Sequence, residues 1–164
     1  MKSEMDPLLD LLGGDAFAAL LEREEMRRSR TGEELAVAVL DLDGLRATNA
    51  RHGDEAGTQM LVVCADALRR TIRAIDEVAR TGHDDFAVLL HATDAKDAGI
   101  WEERFEDTLH DLGRDLPSAP VTCSLGLADT TEAPTLMDVA ARARRRMEVV
   151  QTMRKLKRAR ESGT

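Results

Sequence analysis

The chain has 164 residues, 43% of them hydrophobic and 33% charged, a composition that predicts one soluble globular domain with its own core. Its formal net charge of −8 argues against nucleic-acid binding over the whole surface, and no apolar run is long enough to cross a membrane. No secretory signal is visible, and Cys64 and Cys123 lack the spacing of metal ligands, so we expect buried thiols in a cytoplasmic protein.

The first third of the chain predicts one helix and one buried strand. Asp15 is placed to cap a helix that runs to about Ser29, with Gly32 ending it. Residues 35–43 are apolar up to a pair of aspartates, a pattern typical of a strand buried on both faces. Asp41 would lie at the carboxyl end of this strand, where sheet proteins often bind their ligands.

The middle of the chain predicts a long helix followed by a β-hairpin. We expect Asn49 to begin a linker and Asp54 to cap the helix. Two short strand-like segments, 77–80 and 86–90, then flank a connection rich in Gly and Asp, as in a hairpin. Gly82 is expected to adopt a backbone conformation that a β-carbon would forbid.

The last third predicts two helices around one strand. A helix spans roughly residues 94–112, and residues 121–126 alternate apolar with polar as in a half-buried strand. The final helix begins near Thr135 and extends to about Arg160, with an outer face dense in arginine. The simpler interpretation of this face is a solvated surface; the sharper one is a docking surface for a protein partner or for nucleotide phosphates.

The hairpin turn carries two adjacent carboxylates, Asp84 and Asp85. By themselves they are either solvated turn formers or half of a site for a hard cation. Asp41 supplies the other half, because a strand end and a hairpin together make a two-sided oxygen cage. These acids therefore predict a Mg²⁺ site beside a phosphate.

The strand that ends in Asp41 and Asp43 and the hairpin that carries Asp84 and Asp85 together resemble the GGDEF family, the diguanylate cyclases. Residues 40–49, LDLDGLRATN, match the family pattern LDxDxFKxxN, and residues 80–86, RTGHDDF, match its signature hairpin RxGGDEF. Residues 6–12 look like the DxLTxL turn that opens the family domain, and residues 121–128, VTCSLGLA, look like its late strand VTxSxGxA. The signature itself is degenerate: it reads Gly82-His83-Asp84-Asp85-Phe86.

The resemblance implies an α+β fold in which helices cover a mainly antiparallel central sheet, as in the palm of nucleotidyl cyclases. It places a degenerate GGDEF domain at residues 6–153, between a tail at 1–5 and a basic helix end and tail at 154–164. The reaction it implies joins two GTP molecules into cyclic di-GMP across a homodimer of half-sites, with Mg²⁺ as the metal.

By resemblance, Asp41 and Asp84 are catalytic, and the metal ligands are Asp41, the backbone carbonyl of Leu42 and Asp84. The alternative is that both acids are structural or vestigial. His83 replaces the second signature glycine, whose backbone lies close to the nucleotide in the family. Asp85 replaces the family glutamate, so its carboxylate reaches one methylene less far.

Guanine recognition in the family uses an Asn, matched by Asn49, and an Asp, whose position falls on Thr58. A carboxylate accepts from two guanine N–H groups, which a hydroxyl cannot do, and this change resembles the family branch that also accepts ATP. Gly82 and His83 would complete the nucleotide contacts. The lysine that grips phosphates from the last family helix is placed on or near Glu148.

A second site is implied by Arg73-Ala74-Ile75-Asp76, which stands where the family has an RxxD motif that binds cyclic di-GMP as an inhibitor. Arg104 on the following helix matches the further arginine of that site. Arginine forks suit both phosphate oxygens and the guanine edge. The competing interpretation is an ordinary surface salt bridge.

We therefore expect a signalling protein with little or no cyclase activity that binds cyclic di-GMP through Arg73, Asp76 and Arg104. The alternative function is an active diguanylate or hybrid cyclic GMP-AMP cyclase that uses GTP and Mg²⁺. A third hypothesis is a ligand-free scaffold that docks a protein partner through the last helix. Mg²⁺ is expected only with a bound nucleotide, a homodimer is one expected state, and no nucleic-acid partner is expected.

Overall fold

The computed structural model describes residues 4–163, so residues 1–3 of the expected N-terminal tail and Thr164 lie outside the described part of the chain. Within it, one five-stranded sheet is covered by five helices. The strands are β1 (Leu12–Gly13), β2 (Leu35–Leu42), β3 (Glu77–Arg80), β4 (Asp85–His91) and β5 (Cys123–Asp129). The helices are α1 (Gly14–Thr31), α2 (Leu45–His52), α3 (Asp54–Thr71), α4 (Ala95–Leu112) and α5 (Leu136–Ser162).

The sheet order is β1-β3-β4-β2-β5, and every pairing is antiparallel except the short one between β1 and β3. Helices α3 and α4 pack on one face of the sheet, and α1 and α5 pack on the other. Strand β2 is buried on both faces because it lies inside this three-layer arrangement. The predicted α+β fold with a mainly antiparallel sheet is confirmed.

Two predicted helix caps are wrong. The residue that precedes α1 is Gly13, and the one that precedes α3 is Gly53; neither caps with a side chain. Asp15 and Asp54 lie inside the first turn instead, where their charge still favours the positive end of the helix dipole. Gly32 does end α1, in a left-handed conformation with φ 69°.

The linker predicted from Asn49 is also wrong, because Asn49 lies inside the short helix α2. Gly44 precedes this helix with φ 75° and Gly53 follows it with φ 88°, backbone angles that glycine tolerates. Only two residues of α2, Leu45 and Thr48, are buried, so the helix has no apolar period that the sequence could reveal.

Strand β5 is buried on both faces, not half-buried as its alternating sequence predicted. The close approach of α5 is the reason: a β-carbon on Gly126 would lie 2.0 Å from the Ala143 carbonyl oxygen and 2.4 Å from the Met147 nitrogen. The small polar residue Ser124 is buried because its hydroxyl donates to Asp43, over 2.8 Å.

Helix α4 is the best-predicted element. Asp94 caps it by accepting from the Asp97 backbone N–H at 2.8 Å, and Trp101 stacks on Phe105 with ring centroids 5.5 Å apart in the core.

Cys64 and Cys123 are buried as expected, and burial raises the pKa of both thiols. Of the helices described, none combines the length and the apolar character that a membrane crossing requires.

Candidate functional site

Strand register brings the three predicted carboxylates together. Asp41, near the end of β2, pairs with Asp85 at the start of β4, and Asp84 lies one residue before it in the hairpin turn. One oxygen of each carboxylate lies within 4.8 Å of the others. The Leu42 backbone N–H donates to the Asp84 carbonyl oxygen at 3.0 Å, which holds the hairpin turn against the strand end.

Crowding changes the chemistry of Asp41. Burial raises the pKa of this carboxyl to about 7, helped by a hydrogen bond shared with Asp85 and by the charges of Asp84 and Asp85. A hydrogen bond from Gln151 opposes part of that rise. Near neutral pH a cation that binds at Asp41 would therefore compete with a proton for this carboxyl.

A cavity of about 470 Å³ opens beside Asp41 and Asp84, and we call it the site cavity. Its wall includes Leu42 and four cationic residues from α2 and α5, a combination of acids and cations that fits Mg²⁺ together with a triphosphate. The cations are Arg46, Arg154, Lys155 and Arg158.

The α5 side of the site cavity differs from the sequence-based expectation. Glu148, which was expected near the phosphates, is exposed and lies outside the cavity wall, whereas Gln151 lies in it. Sequence reasoning missed Gln151, Lys155 and Arg158. Their spacing with Arg154 on one helix, at i, i+3, i+4 and i+7, is the signal that could have identified them as one face.

Asp43 belongs to the wall of the cavity but is already satisfied. Its side chain is 5% exposed, and it accepts from Thr122 at 2.7 Å, Ser124 at 2.8 Å and Arg154 at 2.6 Å. Arg154 also donates to the Cys123 carbonyl oxygen. Asp43 therefore ties β2, β5 and α5 together and is not a free metal ligand.

The hairpin glycine acts differently from the prediction. Among residues 4–163, neither Gly82 nor His83 has a positive φ, so His83 carries no left-handed strain. A β-carbon on Gly82 would lie 2.8 Å from a carboxylate oxygen of Asp85, so a larger residue there would displace that side chain. His83 is exposed, and its carbonyl oxygen accepts from Arg80 at 2.7 Å.

Asn49 on α2 and Thr58 on α3 lie on helices that pack against each other, and neither is in the wall of the site cavity. The Asn49 side-chain oxygen is buried, and within the described chain it has no hydrogen-bond partner. It lies so close to Gly57, the neighbour of Thr58, that a β-carbon there would be 1.7 Å away. The two residues predicted to bind guanine are thus brought to one helix junction.

Arg73, Asp76 and Arg104 all line a second cavity, of about 190 Å³, which we call the arginine cavity. The Asp76 side chain is 2% exposed and accepts from the backbone N–H groups of Arg73 and His91, each at 2.9 Å. The Arg73 guanidinium donates to Asp76 at 3.2 Å and to Thr93 at 3.0 Å. Asp76 is therefore internally bonded, whereas Arg73 and Arg104 belong to the exposed residues of the lining.

The profile of the diguanylate cyclase GGDEF domain matches residues 3–157 of this chain. The chain belongs to the GGDEF family. Diguanylate cyclase DgcP of Pseudomonas aeruginosa is 36% identical over 131 residues, which are 77% of this chain but only 19% of DgcP. The chain thus spans about a fifth of that relative.

Solved GGDEF structures agree with the fold. Diguanylate cyclase SiaD of P. aeruginosa, solved with its activator SiaC, superposes with a TM-score of 0.83 at 28% identity, over 92% of this chain and 59% of that one. The GGDEF domain of DgcB from Caulobacter crescentus, solved with c-di-GMP, also gives 0.83, at 22% identity over 93% and 92% of the two chains. At that identity the DgcB likeness bears on the fold alone. In this GGDEF domain the signature hairpin is β3-turn-β4, and it carries Asp84 and Asp85.

Proposed function

We propose that this GGDEF domain binds a purine nucleoside triphosphate with Mg²⁺ in the site cavity and converts it to a cyclic dinucleotide only weakly. The observation that carries the proposal is the meeting of Asp41, Asp84 and Asp85, whose oxygens lie within 4.8 Å of one another. Carboxylates this close repel one another unless a proton or a cation lies between them.

Asp41 and Asp84, with Asp85 beside them and the Leu42 carbonyl at the strand end, would hold the metal. Bound there, Mg²⁺ would polarise phosphate oxygens and neutralise part of their charge. Arg154 is occupied by Asp43, so Arg46 on α2 and Lys155 and Arg158 on α5, all exposed, are the cations available to a triphosphate.

Weak turnover follows from how the phosphates are held. The family grips them with a lysine on the last helix, and the α5 side chain that contacts Asp41 is the neutral amide of Gln151. The cations of the cavity wall remain available to the phosphates, but charge that develops on the transferring phosphoryl group lacks a cation held next to Asp41. Catalysis of this kind depends on such preorganised charge. Thr58 and His83 are two further departures from the family pattern.

Calorimetry with a non-hydrolysable GTP analogue tests the binding. We expect Mg²⁺-dependent heat for the wild type and none for Asp84→Ala. Asp107→Ala, which removes an exposed carboxylate on α4, is the matched control and should bind like the wild type. Binding that is unchanged by Asp84→Ala and by Mg²⁺ removal would refute the site. Chromatography of the products from GTP and Mg²⁺ tests the activity, and efficient turnover would refute the weak-cyclase part.

A second candidate function, a receptor for cyclic di-GMP, is favoured by the convergence of Arg73 and Arg104 on the arginine cavity. The Arg73 side chain is 51% exposed, and its guanidinium is bonded to Asp76, Thr93 and the His91 carbonyl oxygen. Binding a phosphate or a guanine edge would exchange some of these bonds for bonds to the ligand. A GGDEF domain of the same fold, that of DgcB, was solved with c-di-GMP. Because Asp76 is buried and bonded to Arg73, we assign it the positioning of Arg73 before any contact with the ligand.

Titration with cyclic di-GMP separates this candidate from the first. Arg73→Ala should weaken binding by about tenfold or more, the loss of one charge-assisted contact. Asp84→Ala should leave it unchanged, since that carboxylate lies in the site cavity. A wild-type protein that binds GTP analogue but gives no heat with cyclic di-GMP would eliminate the receptor function and leave the first proposal standing.

A further inference from the structure

Strand β5 is the outermost strand of the sheet, and arginines from α5 reach over it. Arg146 donates to the Leu127 carbonyl oxygen at 2.6 Å, and Arg154 donates to the Cys123 carbonyl oxygen. These two bonds place one flank of α5 along the β5 edge. They also occupy backbone acceptors that an edge strand would otherwise offer to another chain.

That flank of α5 carries an unpartnered apolar stripe. Val149, Met153 and Leu156 are 59%, 65% and 57% exposed, and their spacing of four and three residues matches one seam of a coiled coil. Cations surround the stripe. Over its length α5 has nine Lys and Arg residues against three Asp and Glu, a formal charge of +6. The exposed cations of the stripe's neighbourhood are Arg145, Lys157 and Arg160.

The other flank of the same edge is acidic and belongs to α4. Glu106 lines a small cavity with Cys123 and Arg154, which places it beside the start of β5. Helix α4 has six acids against two Lys and Arg, a formal charge of −4. Glu102, Glu103 and Glu106 crowd one another: burial, then Glu106 and Glu103, raise the pKa of Glu102.

We propose that two copies of this chain associate along the outer edge of β5, with the basic, apolar flank of α5 in one copy against the acidic flank of α4 in the other. Helices α4 and α5 cover opposite faces of the sheet. A two-fold axis parallel to β5 therefore brings α5 of each copy to the face on which α4 of the other copy lies, and the two equivalent α5–α4 contacts form together. An axis perpendicular to the sheet would instead place two α5 helices, each at +6, against each other.

A second copy fits this surface better than a lipid bilayer. Helices that lie in a membrane interface bury a wide apolar face, whereas the α5 stripe is one residue wide and has cations on its flanks. The formal net charge of −8 on each copy does not prevent contact, since at physiological salt charges separated by more than about 8 Å are largely screened. The facing charges of α4 and α5 lie well within that distance once the flanks touch.

Charge reversal on each flank provides the test, with the full-length chain throughout. One variant carries Lys157→Glu and Arg160→Glu on α5; the other carries Glu103→Lys and Glu106→Lys on α4. All four residues are exposed, and none belongs to the site cavity. By sedimentation equilibrium the wild type should dimerise reversibly, and each variant alone should dimerise at least about tenfold more weakly, because like charges then face each other.

Mixing the two variants is the decisive step. In the mixed dimer one contact is wild-type and the other is charge-reversed but still attractive, so the mixture should recover the wild-type dissociation constant within about threefold. Arg70→Glu, a single charge reversal at an exposed position of α3 away from both flanks, should have no effect. A monomeric wild type, or folded variants whose mixture stays monomeric, would refute the interface. Nucleotide binding at Asp41 and Asp84 is measured separately and does not depend on this outcome.

Discussion

Arg154 Nη1 lies 2.6 Å from the Asp43 Oδ2, and this ion pair fastens the last helix to the strand that carries Asp41. The Asp43 side chain is 5% exposed, so its charge depends on the guanidinium and on two hydroxyl donors. Arg158, 3.7 Å away, is too far for a good hydrogen bond but contributes charge. A buried carboxylate and a partly exposed guanidinium thus link β2, β5 and α5 beside the site cavity.

Arg154→Ala should lower the free energy of unfolding by about 2–4 kcal/mol, because it leaves a buried carboxylate short of its cation. Arg154→Lys retains the charge but lacks the planar, forked donors of a guanidinium, and it should lower the free energy of unfolding by a smaller amount. Arg158→Ala, which removes only the distant cation, should lose less than about 1 kcal/mol. Urea unfolding followed by circular dichroism measures all three, and equal losses for the two alanine variants would contradict the assignment.

Gly126→Ala should destabilise the protein severely. The added methyl would lie 2.0 Å from the Ala143 carbonyl oxygen, which is backbone, so α5 has to move away from β5. We expect a loss of about 3 kcal/mol or more, visible as a lower Tm. The matched control is Gly99→Ala on α4, where nothing lies within 4 Å of the new carbon; it should stabilise by about 0.5–1 kcal/mol.

Asp41→Asn should stabilise the protein when divalent cations are absent, and increasingly so as the pH rises. The pKa of Asp41 is raised from 3.8 to about 7 in the folded state, so the folded state holds a proton that the unfolded state has lost. The contribution of Asp41 to the free energy of unfolding therefore falls as the pH rises from about 4 to about 7, and it does not change further at higher pH. The Tm difference between Asn variant and wild type should grow over that interval, and adding Mg²⁺ should reduce it. A difference independent of pH would contradict the shift.

Gln151→Lys should strengthen binding of a GTP analogue with Mg²⁺ by about tenfold, because an ammonium beside Asp41 adds a charge-assisted contact to phosphate. The same cation should lower the pKa of Asp41, so the pH dependence of metal binding should move to lower pH. Gln59→Lys, on an exposed position of α3, is the control for the added charge. Unchanged affinity in Gln151→Lys would place the phosphates away from this part of α5.

We propose that the base of the nucleotide extends from the site cavity to the α2–α3 junction where Thr58 lies, so Thr58→Asp should shift nucleotide preference toward GTP over ATP. A carboxylate accepts from two N–H groups of guanine and repels the acceptor nitrogen that adenine presents there, whereas the hydroxyl does neither. Thr58→Asn, which adds an acceptor and a donor without charge, separates hydrogen bonding from electrostatics. Competition calorimetry gives the ratio of dissociation constants, and a ratio that is the same in all three proteins would remove Thr58 from base recognition.

The sequence by itself determined those elements whose formation depends on residues near one another in the chain. The apolar run of β2, the hairpin around Gly82, the extent of α4 and the Gly32 end of α1 follow from period, turn residues and the preference of glycine for helix ends, and all four are present. The two predicted caps, Asp15 and Asp54, were wrong. The motifs spanning residues 40–49 and 80–86 were sufficient to indicate the family that the profile match over residues 3–157 shows.

Only the tertiary structure decided what surrounds the acids. The register of β2 against β4 sets Asp41 opposite Asp85, and the packing of α5 brings Gln151 to Asp41 and Arg154 to Asp43. Such contacts join residues more than 40 positions apart, and their formation depends on burial and backbone approach that no local period encodes. Strand β5 is a second example. Its alternating residues predicted one solvated face, but the close packing of α5 on Gly126 buries that face. The environment of a strand is set by the layers that pack on it, and the sequence of the strand alone does not show them.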